Sequence, residues 1–116
     1  MILTSGTRQH HPTLELCQWF HNNYARLHEV DVEIRHVDLR EDDVFGWCED
    51  VSDTEYLVYI HHELDLDDYV KTLFHELVHV CQSISGLHDH KLRETEAYLL
   101  ETILHKMWCD TYQGVH

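Results

Sequence analysis

The stretch from Asp65 to Gly86 restricts this 116-residue chain more than any other. Its apolar residues Val70, Phe74, Leu77, Cys81 and Ile84 recur at intervals of three and four, the period of a helix with one buried face. The spacing predicts a helix from about Asp68 to Ser85, capped by Asp65 or Asp67 and stopped by Gly86. On a neighbouring face stands His75-Glu76-Leu77-Val78-His79, an HExxH pattern. Residues four apart on a helix lie one above the other, so both imidazoles can reach one metal ion while Glu76 sits beside them. One stripe of this helix must therefore pack on a core and the next must face a cleft.

The bare pattern is not decisive. With 13 histidines in the chain, a shuffled sequence of this composition contains HExxH roughly once in seven or eight tries. Context carries more weight. Two histidines hold zinc poorly, and a catalytic site ordinarily has a third protein ligand and leaves one position to water. A third histidine six residues after His79 is one solution, but that position is Ser85. The downstream donors are His88, His90, Glu94 and Glu96. Glu94 and Glu96 are turned about 200° apart on a helix, so only one can face the metal. Glu94 lies three residues before the small, core-facing Ala97 and is the expected ligand.

The rest of the chain reads as one α+β domain spanning residues 1–116, large enough to form its own core. Pro12 to about His28 places Leu14, Cys17, Phe20, Tyr24 and Leu27 at helical spacing. Val30 to His36 alternates apolar and polar residues, as a half-buried strand does. Val44 to Cys48 and Glu55 to Ile60 read as two further strands, giving a small twisted sheet expected to be mostly antiparallel. A final helix from about Lys91 to Thr111 is expected to bury Ala97, Leu100, Leu104, Met107 and Trp108. The four cysteines form no CxxC pair, and the N-terminus lacks the pattern of a secretory leader. Reduced, mostly buried thiols and a cytoplasmic, soluble protein with no membrane segment are the corresponding expectations.

The formal net charge is −14, and twelve acidic residues against one arginine lie between Asp38 and Asp68. Such a surface repels phosphate, so direct nucleic-acid binding is not expected. It can serve solubility alone, or recognise a basic partner.

A strand, a second strand, a helix bearing HELVH and a helix opening with Glu94-Thr95-Glu96-Ala97 together resemble the minimal gluzincin-type zinc metallopeptidases, including the ImmA/IrrE-like group. The Gly46-Trp47-Cys48 segment is also similar to SprT-like peptidases, whose third ligand is a histidine. The likeness spans roughly residues 44 to 100 and implies a zincin-like fold. It implies Zn2+ held by His75, His79 and Glu94, with Glu76 as general base in peptide-bond hydrolysis. An extended peptide or protein substrate is expected to pair with the edge of the strand containing Gly46, and Tyr98, Tyr59 or His88 can donate to the developing oxyanion. Glu101 and His105, four apart, read as a mild surface pair, and His61-His62 as surface residues. His10, His11 and His116 carry no positional signal. Two other readings stand beside the enzyme. One is a noncatalytic metal-binding domain that engages a basic partner, and the other is an acidic mimic of nucleic acid.

Overall fold

The computed structural model describes residues 1–6, 11–25, 27 and 29–113, with the side chains of 112 and 113 left aside. His10, His28 and His116 lie outside those residues, and the first helix, expected to run to about His28, ends at Asn23. The described elements are β1 (Ile2–Ser5), α1 (Thr13–Asn23), β2 (Asp31–Val37), β3 (Gly46–Asp50), β4 (Glu55–His61), α2 (Leu66–Ser85) and α3 (His90–Gln113), with a short 3-10 turn at Arg40–Asp42.

The four strands form one sheet in the order β1-β2-β4-β3. β1 pairs with β2 and β2 with β4 in parallel, and only β3 runs antiparallel to its neighbour β4. This corrects the expectation of a mostly antiparallel sheet: two of the three pairings are parallel. Period-two alternation is common to both kinds of strand, so it carries no direction. The direction follows from α1, which returns the chain from the end of β1 to the start of β2. β1 itself escaped the sequence reading because four residues with an exposed Leu3 show too little alternation.

β2 and β4 alternate buried and half-buried residues, so the helices cover one face of the sheet. Val32, Ile34, Tyr56, Val58 and Ile60 from the sheet meet Leu16 and Phe20 of α1 and Val70, Leu73, Phe74 and Leu77 of α2 in one core cluster. Phe74 stacks on Trp19 at 5.3 Å and meets Phe20 at 5.9 Å, which locks α1 against α2. α3 packs on α2 through Ala97, Leu104 and Trp108. The expected stripes were too long at their ends: Leu14, Tyr24, Ile84 and Met107 are exposed.

Both ends of the α2–α3 hairpin are fixed locally. The Asp65 carboxylate accepts from the Asp68 amide, capping α2, and Gly86 takes the left-handed conformation at φ 82° just past its end. Asp89 Oδ1 accepts from the Leu92 amide and starts α3 one residue earlier than expected. Arg93 then donates to Leu87 O at 2.8 Å and Ser83 Oγ at 3.2 Å, so its side chain fills the C-terminal end of α2 and seats the first turn of α3 beside it.

Candidate metal centre

α2 and α3 run side by side from the turn at residues 86–89, which brings the histidines of one opposite the first turns of the other. His79 Nε2 lies 3.1 Å from His75 Nε2 and 2.8 Å from Glu94 Oε1, and His75 Nε2 lies 3.8 Å from Glu94 Oε2. Ligands at zinc distances on a tetrahedron stand about 3.3–3.5 Å apart. The three donors bracket that spacing.

The hydrogen bonds behind them decide what these atoms can do. Gln82 donates its amide nitrogen to Arg93 O at 3.0 Å and to Glu96 Oε1 at 2.9 Å, so the oxygen of that amide is the atom 2.7 Å from His79 Nδ1. His79 must therefore carry its proton on Nδ1. His75 Nδ1 stands 3.0 Å from Glu101 Oε1, a carboxylate that can only accept when ionised, and so it too is the protonated nitrogen. In their neutral forms both histidines turn a bare Nε2 lone pair toward a carboxylate oxygen. Three acceptors thus converge on one point with no hydrogen among them, an arrangement that a cation resolves. A second proton on His75 relieves it as well. Burial works against that proton but is outweighed by Glu101, Glu76 and Glu94, which together hold His75 above its ordinary value, whereas burial keeps His79 below.

Glu76 is buried in the wall of the same cleft, whose volume is about 580 Å3. Burial pushes its carboxyl up to about 7; His75 opposes the rise, and Glu94 and Glu101 add to it. Bound metal would pull it back down by direct attraction of the carboxylate. Opposite Glu76 runs β3, which pairs with β4 on one side and forms an edge of the sheet. Gly46 permits that approach: a Cβ there would fall 2.6 Å from Tyr59 O, 2.9 Å from Thr72 Cγ2 and 3.5 Å from Glu76 Cγ. No side chain fits between β3 and α2 at this point.

Of the donors offered by the sequence, the structure gathers His75, His79 and Glu94. Glu96 instead accepts from Gln82, and His88 is exposed away from the cleft. His90 and Tyr98 line the cleft, and the Tyr98 ring lies 4.8 Å from that of His75. Tyr59 does not line it; it packs with Trp47 and Arg35. Glu101 and His105 are not partners of one another, since Glu101 holds His75 and His105 meets Asp67. Glu101 and Gln82 are the site residues missed from sequence. Glu101 lies seven positions after Glu94, two helical turns along the same face, and that spacing was the available signal.

Compared with known proteins, the chain matches no family model, no curated protein and no solved structure at a significant level. The grouped donors could hold a metal ion, and no helix among the described residues is long and apolar enough to cross a membrane.

Proposed function

We propose that this protein is a zinc-dependent peptidase of the minimal gluzincin type, with His75, His79 and Glu94 as ligands and Glu76 as general base. The observation that carries the reading is the convergence of two Nε2 lone pairs and a carboxylate, each histidine held in that tautomer by its own acceptor. Zn2+ bound there would supply a Lewis acid that acidifies water and polarises a peptide carbonyl.

The chain's own residues perform the remaining tasks. Glu76 accepts the proton of the attacking water as the C–O bond forms, and returns it to the departing nitrogen as the C–N bond breaks. The outer edge of β3, unpaired among the described residues, offers backbone donors and acceptors to an extended substrate beside Glu76. The Tyr98 hydroxyl, on a residue that lines the cleft, serves as a donor to the carbonyl oxygen. Glu101 and Gln82 fix the two imidazoles.

The test is zinc-loaded protein incubated with unfolded polypeptide, followed by mass spectrometry of the fragments. Glu76→Gln retains zinc and fold and lowers cleavage by about 10²- to 10⁴-fold. Cleavage at the wild-type rate in that variant removes Glu76 as the base. Zinc-loaded protein that cleaves nothing and instead retains a basic protein stoichiometrically replaces the enzyme with a noncatalytic binding domain.

A further inference from the structure

The α2–α3 hairpin carries a second set of converging donors at its opposite end. Asp67 stands in the first turn of α2, eight residues before His75, or about 12 Å along the axis. His105 and Cys109 stand four apart on α3. His105 Nε2 lies 3.0 Å from Asp67 Oδ1 and 3.5 Å from Cys109 Sγ, and the three donor atoms all lie within 4.8 Å of one another. The layout repeats that of the first site with the helices exchanged: an i, i+4 pair from one helix and a carboxylate from the other.

A plain hydrogen bond accounts for only part of this geometry. One nitrogen faces both a carboxylate oxygen and a sulfur. An Nε2–H serves the carboxylate and reaches the sulfur only as a weak acceptor, whereas a cation binds all three. Tetrahedral zinc would place nitrogen and sulfur about 3.6 Å apart, and nitrogen and oxygen about 3.4 Å. The observed nitrogen–sulfur separation of 3.5 Å fits the first value, and the nitrogen–oxygen separation of 3.0 Å is shorter than the second. Another grouping, Asp38 with His61 and His62, is already engaged: Arg40 forks onto Asp38 at 2.5–3.1 Å, and His61 Nδ1 accepts from the Leu39 amide.

We propose that Asp67, His105 and Cys109 form a second divalent-metal site, of the zinc and cobalt class, that fastens the start of α2 to the last turns of α3 with solvent in the remaining position. Imidazole, thiolate and carboxylate together select such borderline ions over Mg2+ or Ca2+. Binding converts the Cys109 thiol to a thiolate and releases its proton to solvent. With a dication, the Asp67 carboxylate and the thiolate make the site neutral. Burial chiefly opposes the thiolate, and Asp67 and Asp110 add to that. Lys71 and Lys106 favour it, and Lys106 is itself held by Asp110 at 2.9 Å. The staple would hold the far end of the helix that bears Glu94 and Glu101.

The experiment is titration of the full-length, reduced protein with Co2+, following the sulfur-to-cobalt charge-transfer absorption in the near ultraviolet. The ligands proposed for the first site carry no sulfur, and Cys48→Ser controls for the cysteine that lines its cleft. The expected result is about two Co2+ per chain, with the band present in wild type, in Cys48→Ser and in the His75→Ala/His79→Ala variant. Cys109→Ser and, as a second disruption, His105→Gln take about one Co2+ and lose the band. A wild-type protein without the band overturns the proposal, as does a band that survives in Cys109→Ser. The band, unlike the total count, is independent of any peptidase activity and of metal at the first site.

Discussion

His36 and His79 are equally buried, at 7% and 8% exposed, and both donate through Nδ1, yet only one of them finds a donor for its Nε2. His36 Nδ1 donates to Ser5 O at 2.9 Å, its Nε2 accepts from the Tyr69 hydroxyl at 2.7 Å, and Thr13 donates in turn to the Tyr69 oxygen. Each atom of that chain meets a complementary partner, and the network ties β1, β2, α1 and α2 together. His79 is held just as firmly through Nδ1, but its Nε2 meets a second lone pair and a carboxylate. Burial and residue type are the same, so neither marks a functional histidine. The distinguishing property is whether donors and acceptors balance, because an unbalanced buried set is costly unless a ligand completes it.

The strongest way to break this comparison is to remove a converging atom. In a Cys109→Ser background, which isolates the first site, His79→Ala and Glu94→Ala should each lower zinc affinity by more than about 100-fold, while Glu96→Ala and His88→Ala change it less than about threefold. Competitive titration against a chelator measures this, and equal losses for Glu94→Ala and Glu96→Ala would contradict the ligand set. Next in size are the residues that aim the lone pairs. Glu101→Ala and Gln82→Leu should each weaken zinc binding by about 10- to 100-fold with the circular dichroism spectrum unchanged. Binding at wild-type strength in both variants would show that the tautomers need no such support.

The balanced network should respond in the opposite currency. Tyr69→Phe leaves His36 Nε2 without its donor and Thr13 without its acceptor, and should cost about 1–3 kcal/mol in urea unfolding while zinc affinity stays within about twofold. A large change in zinc affinity would mean that the two regions are coupled. The smallest effect concerns pH. Burial holds the His36 pKa below its ordinary 6.5. The unfolded chain therefore binds this proton first, and stability is lost as pH falls below about 6.5, by at most about 1.4 kcal/mol per pH unit for the one group. Zinc binding at the proposed site should weaken over the same range, since protons compete for both imidazoles. Chemical denaturation of metal-free protein and of its His36→Asn variant at pH 7.5 and 5.5 isolates the His36 share, because His75 and His79 titrate in both; an identical pH dependence in the two proteins would show that His36 is not a titrating group.

Much of the fold was legible because it rests on local periodicity. Val32, Ile34 and the alternating polar residues of β2 announce a strand with one covered face, and the α2 stripe with Asp65 and Gly86 announces a capped helix. Strand direction and the strand β1 were not legible, because alternation is blind to direction and Ile2–Ser5 is too short to show it. At the site, His75, Glu76 and His79 are a single-helix pattern, and Glu94 followed from its phase relative to Ala97. Gln82 carried no such signal, and the spacing of Glu101 from Glu94 gave its face but not its partner. Their importance lies in which atom of another element each one faces.

The sequence by itself determined that one helix carries a core stripe beside an HExxH face, that a second helix follows within a short turn, and that the chain is strongly acidic. These properties depend on residue spacing and formal charge, which folding does not change. The tertiary structure decided which carboxylate meets the two imidazoles, which tautomer each histidine takes and which strand edge overlooks Glu76. It also decided that Cys109, spaced widely from every other cysteine, shares a corner with Asp67 and His105. Those outcomes depend on distances of a few ångströms between elements far apart in the chain, and they are set by how α3 packs on α2 and by the close passage of β3 at Gly46.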